Sequence, residues 1–71
     1  MEPIQRARDI FGSQAKFARV IGVSPMTITK WKSRIPAERV LPIYRATGGR
    51  ISPHEMRPDL YPEPSYYPPL V

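Results

Sequence analysis

The sequence contains no cysteine among its 71 residues. That excludes a disulfide framework and a thiolate metal site, and it fits a reducing compartment such as a bacterial cytoplasm. It also has no long apolar run, so neither a signal peptide nor a membrane span is expected. Histidine occurs once, at His54 beside Glu55. The serines and acids fall into no acid–base or metal-ligand spacing, so no enzyme activity, cofactor or metal is expected, and His54 reads as a surface residue. A chain this short makes one domain, and such a domain buries only about 60% of its unfolded surface. Additional stability is expected from a second copy of the chain or from a ligand.

What the sequence does have is positive charge, unevenly placed. Eleven Lys and Arg against six Asp and Glu give +5. Residues 1–50 hold ten of the basic and three of the acidic residues, a balance of +7. Residues 51–71 hold one basic and three acidic, a balance of −2. A basic unit followed by a mildly acidic appendage suits a binder of polyanions, nucleic acid foremost.

The residues up to Tyr44 read as helices separated by short turns. Pro3 suits a first helical position, and Ile4, Ala7, Ile10 and Phe11 recur with helical spacing up to Gly12. Ser13 is a suitable N-cap for a second helix with Phe17, Ala18 and Ile21 as its apolar stripe, stopped by Gly22. Ser24 and Pro25 open a third helix that buries Ile28 and Trp31. A fourth starts near Pro36 and runs through Val40, Ile43 and Tyr44 to Gly48 and Gly49. Pro42 inside it must break a backbone hydrogen bond, so a kink or tight first turn is expected there. Ser52-Pro53-His54-Glu55 reads as a capping box opening one short helical turn. Beyond Arg57, prolines 58, 62, 64, 68 and 69 interleave with Tyr61, Tyr66 and Tyr67, forbidding helix. Residues 1–57 are therefore expected to form the domain, and 58–71 an extended or disordered tail.

Two helices joined at a steep angle by about three residues form a helix-turn-helix, which constrains residue type at several points. Ala18 is small where the helices cross. Gly22 can take positive φ in the turn, and Val23 can tuck into the core behind it. Ile28 and Trp31 are the buried aliphatic and large apolar residues of the second helix. The five together, with a capping serine between the helices, are a specific signal.

Advancing about 100° per residue puts Met26, Thr29 and Lys30 nearly opposite Ile28 and Trp31, flanked by Pro25 and Thr27. In this motif the start of the second helix meets the base edges. Lys30 is expected to donate to guanine O6 and N7, Met26 to touch a thymine methyl, and Thr29 to meet a base or a phosphate. Gln14, Ser24, Lys32, Arg34 and Arg39 are the candidate phosphate contacts.

Gly12-Ser13-Gln14-Ala15, Ala18-Arg19-Val20-Ile21-Gly22-Val23-Ser24 and Trp31-Lys32 resemble the Cro-type repressors of temperate phages. Ile35-Pro36-Ala37-Glu38-Arg39, Arg45-Ala46-Thr47-Gly48-Gly49 and Arg57-Pro58-Asp59-Leu60-Tyr61 resemble the YdaS-like antitoxin group found in prophages. The resemblance implies an all-α, five-helix domain similar to lambda repressor. It implies binding to double-stranded operator DNA, usually palindromic and usually as a symmetric homodimer, and repression of transcription. Pro25 stands where that family often carries a polar base-contacting residue, and the tail after Tyr61 lies outside the likeness. An alternative is an antitoxin-like interaction module whose Pro/Tyr tail docks on a protein partner. Binding of single-stranded nucleic acid through the tyrosines is disfavoured by the acidity of the tail.

Overall fold

The computed structural model of the chain describes residues 2–31 and 34–70. Its helices are α1 (Pro3–Phe11), α2 (Gln14–Ile21), α3 (Pro25–Trp31), α4 (Ala37–Ala46) and α5 (Pro53–Met56). No strand occurs among the described residues. The helix boundaries are set by the residues that the sequence marks. Ser13 Oγ accepts from the Lys16 amide at 3.1 Å, and Ser52 and Glu55 close a reciprocal capping box at α5. Both devices satisfy amides that a helix start leaves without partners.

The second helix ends in a Schellman motif. The Val23 amide reaches the Ala18 carbonyl at 2.9 Å and the Gly22 amide reaches Arg19 at 3.3 Å, with Gly22 at φ 78°. Apart from Gly22 itself and its two chain neighbours, no atom lies within 4 Å of where a Cβ there would stand. Backbone conformation, not space, is therefore what requires glycine there. In α4 the helix continues through Pro42. Its missing N–H would have faced the carbonyl of Glu38, an exposed residue, where water can take its place.

Packing is organised around α2, which touches α1, α3 and α4, while α5 sits on α4. The core comprises Ile4, Ala7, Phe17, Ala18, Ile21, Ile28, Ile35, Val40, Ile43, Tyr44, Ile51 and Met56. Phe17 is fully buried and stacks on Phe11 with centroids 5.6 Å apart. Trp31, expected in the core, is half-buried at its edge. Ile35 and Ile51, both in connecting segments, are buried more completely. Outside the core, Arg6 pairs with Glu55 and donates to the Arg50 carbonyl at 2.8 Å, tying α1 to the α5 region.

The prolyl tail is extended and lies back against the body. Tyr44 is buried in α4, and its hydroxyl donates to the Pro68 carbonyl at 2.7 Å while its ring meets that of Tyr67 at 6.4 Å. Tyr61 stacks on Tyr66, and His54 Nδ1 bonds the Tyr61 carbonyl at 2.8 Å. The radius of gyration, 11.2 Å, matches the roughly 11 Å expected of a globule of this length, so the tail wraps the body instead of trailing from it. Tyr44→Phe deletes one hydroxyl donor and strands the Pro68 carbonyl. Thermal or urea unfolding should show a loss of about 1 kcal/mol, whereas an unchanged midpoint would mean that this contact holds nothing.

At the root of the tail, Arg57 donates to both Asp59 oxygens, from Nε at 2.9 Å and from Nη2 at 2.7 Å, and to the Ile35 carbonyl at 3.0 Å. The guanidinium hydrogen bonds hold the Asp59 carboxyl down to about 2, and its charge adds to the effect. A carboxyl depressed on folding stabilises the protein above its unfolded pKa, and that contribution disappears as pH falls through the folded value. Stability is therefore expected to drop between about pH 4 and pH 2. In Asp59→Asn this part of the drop should vanish from denaturation curves recorded across that range.

Candidate nucleic-acid interface

The outward face of α3 is built by devices that lie off it. Ser24 starts the helix, its Oγ accepting from the Thr27 amide at 3.2 Å and lying 2.9 Å from Thr27 Oγ1. Ile28, 1% exposed, anchors the inner side. A seven-residue helix is too short to hold itself in water. Its order therefore comes from the Ser24 cap, the Ile28 anchor and contact with α2.

A further tie comes from Gln14, the first residue of α2. Its Nε2 donates to the Pro25 carbonyl at 2.7 Å and to Thr29 Oγ1 at 2.9 Å. A carbonyl only accepts, so the amide nitrogen must be the atom facing Pro25, and this fixes which way the amide is turned. The amide nitrogen thus meets two acceptors within the motif. Thr29 in turn donates back to the Pro25 carbonyl at 3.3 Å, the usual back-bonding of a helical threonine.

With the frame held in this way, Pro25, Met26, Thr29 and Lys30 are exposed and Thr27 is half-buried. Met26 is 63% exposed, the most of the exposed large apolar side chains among the described residues. The candidate phosphate contacts divide by partner. Ser24 is engaged as a cap, and Gln14 faces Pro25 and Thr29. Arg39 turns back to the Ile21 carbonyl at 3.4 Å, at the end of α2. Arg34 projects with 76% of its side chain exposed, 3.6 Å from Asp59. Lys32 lies outside the described residues. The Arg34 contact is an open surface pair, and such a pair adds little to stability. No cluster of metal-ligating side chains is found among the described residues. No described helix is long and apolar enough to cross a membrane.

Sequence reasoning missed three contacts near the motif. The Gln14 bridge, the reach of Arg57 to the Ile35 carbonyl and the Tyr44–Pro68 bond each join residues at least eleven positions apart.

The five helices among the described residues, the second and third joined through residues 22–24 with an exposed face on the third, define a helix-turn-helix domain of Cro-like fold. The Cro protein from the putative prophage element Xfaso 1 of Xylella fastidiosa strain Ann-1 superimposes with a TM-score of 0.81 at 37% identity. The match covers 84% of this chain and 95% of that one. The chain belongs to the family described as bacterial toxin YdaS, whose model matches residues 4–65. It is also similar to the Escherichia coli K12 protein named "Putative transcriptional regulator YdaS", at 39% identity over 59 residues. That alignment takes in 79% of this chain and 60% of the relative, so the chain spans less than two thirds of the relative's length.

Proposed function

We propose that the chain is a sequence-specific transcriptional regulator that binds double-stranded DNA with α3 in the major groove. The observation that carries this reading is the face of α3. Met26, Thr29 and Lys30 are exposed opposite the buried Ile28, on a helix whose frame is fixed from behind. The net charge of +5 supplies the sequence-independent attraction. Lys30 donates to guanine and Met26 packs on a thymine methyl, with Pro25 and Thr27 flanking them. Ser24, Lys32 and Arg34 meet the phosphates that position the helix.

In the finer form of this proposal the protein is a Cro-like repressor of phage or prophage origin, acting in the bacterial cytoplasm and without enzyme activity. It occupies a palindromic operator as a homodimer, with half-site centres one helical turn apart, roughly 34–36 Å. Residues 1–57 form the binding body, and 58–71 are an appendage to it. The likeness to a Cro protein and to a protein named as a transcriptional regulator supports this reading.

Selection of bound duplexes from a random pool tests it. A palindromic consensus, bound with a steep dependence on salt, is the expected result. Recovery of no consensus overturns it.

Action through a protein partner is a second reading, favoured by the exposure of Leu60, Tyr66, Tyr67 and Leu70 along the tail. A cellular activity that survives Lys30→Ala but is abolished by truncation after Tyr61 would select it.

A further inference from the structure

The hydrogen bonds around α3 fix which way its polar groups are turned. Gln14 Nε2 has two hydrogens and meets two acceptors, the Pro25 carbonyl at 2.7 Å and Thr29 Oγ1 at 2.9 Å. The Thr29 hydroxyl hydrogen points back to the Pro25 carbonyl. Subtracting these commitments from what the two side chains can offer leaves no donor. What remains is a lone pair on Thr29 Oγ1 and the carbonyl oxygen of Gln14.

We propose that Gln14 and Thr29 form an acceptor-only corner of the recognition face, which selects an amino base, adenine or cytosine, over a keto base on the strand it meets. The inference rests on the proposed reading of duplex DNA by α3 and sharpens it. In the major groove adenine N6 and cytosine N4 donate, whereas guanine O6 and thymine O4 accept. An acceptor-only corner pairs with the first kind and sets oxygen against oxygen with the second. For the same reason it does not grip a phosphate, whose oxygens also only accept. Lys30, one residue further along α3, is a pure donor. The face thus carries two opposite polarities side by side: Lys30 suits a guanine, and the Gln14–Thr29 corner suits an amino base nearby.

The network also separates what each residue does. Thr29 supplies the oxygen that touches the base. Gln14 is a positioning residue, because its amide occupies one lone pair of that oxygen and leaves the other outward.

The test compares duplexes selected from a random pool by the full chain and by Thr29→Val, which replaces the hydroxyl by a methyl of similar size. The wild type should enrich adenine or cytosine about tenfold at one position. Thr29→Val should lose that preference and keep the others, and Thr29→Ser should retain it. A second measurement needs no variant. The wild-type protein is titrated against its selected duplex with the amino group deleted, purine replacing adenine or 2-pyrimidinone replacing cytosine, and about tenfold weaker binding is expected.

Enrichment of guanine or thymine at the position that Thr29→Val alters overturns the corner alone. So does a Thr29→Val protein that weakens on every sequence alike, the mark of a phosphate contact, or one whose profile is unchanged. A wild-type protein that selects no consensus overturns the regulator reading itself, and the corner with it.

Discussion

Phe17→Ala is expected to remove a large share of the stability of the chain and to lower its melting midpoint steeply. Phe17 is fully buried in α2, the helix against which α1, α3 and α4 all pack, and its ring stacks nearly parallel on Phe11. Truncating a buried phenylalanine costs about 3–5 kcal/mol, from lost transfer energy plus the cavity left behind. Domains hold roughly 0.05–0.15 kcal/mol of stability per residue, so this chain has about 4–11 kcal/mol in all. The loss takes a large share of that reserve. Far-ultraviolet circular dichroism should show a melting transition displaced far downward or missing, and duplex binding should be lost in parallel. Phe17→Leu, which keeps most of the volume, should retain a cooperative melt. A loss below about 1 kcal/mol in Phe17→Ala would mean that α2 is not the centre of the fold.

The second large effect falls on binding and leaves the fold alone. Lys30→Ala is expected to weaken binding to the preferred duplex by about 1–3 kcal/mol, roughly 5- to 140-fold. Lys30 is exposed on the last turn of α3, so its removal empties nothing in the core and thermal stability should hold. The pattern across sequences then identifies the contact. If Lys30 donates to a guanine, affinity falls for the preferred site, discrimination relaxes at one base pair, and mixed-sequence duplex binds as before. If it meets a phosphate, affinity falls on all duplexes alike, and the slope of log affinity against log salt shallows by about one. Equal affinity on every duplex, mutant and wild type, would remove Lys30 from the interface.

Much of the frame was legible because its constraints are local. Ser13 and Ser52 cap the residues three positions on, Gly22 takes the left-handed conformation its turn requires, and Ile28 faces inward by helical period alone. Each of these can be decided within a single turn of chain. The residues that were not legible act across distance. Ile35 and Ile51 lie outside the helices, where no periodicity reveals which side chains point inward, yet both are buried in the core. Trp31, by contrast, has the right spacing but stands at the end of α3, where the body no longer surrounds it.

The candidate site divides in the same way. The exposed set Met26, Thr29 and Lys30 follows from the helical wheel once Ile28 is placed inside. What Gln14 and Arg39 do could not follow from it, because a polar side chain at a helix start or on a neighbouring helix can equally face solvent or a carbonyl. Only the packing of α2 against α3 and α4 brings Pro25 and Ile21 within their reach. The tail posed the same difficulty. Its prolines exclude helix, but nothing in their spacing says that Tyr44 will meet Pro68 twenty-four residues later.

The support of α3 from behind also bears on how such a protein can change over generations. Ser24 and Ile28 hold the helix while Met26 and Lys30 project away from both. Substitutions at the two projecting positions touch neither the cap nor the anchor, so they draw little on the narrow margin separating a small domain from unfolding. On the proposed reading of DNA by α3, a lineage can therefore drift to a new target through Met26 and Lys30 while every intermediate still folds. Thr29 is less free, because it is bonded both to Gln14 and to the Pro25 carbonyl. Novelty should thus accumulate on one edge of the helix, and the edge nearest α2 should be the slower to diverge.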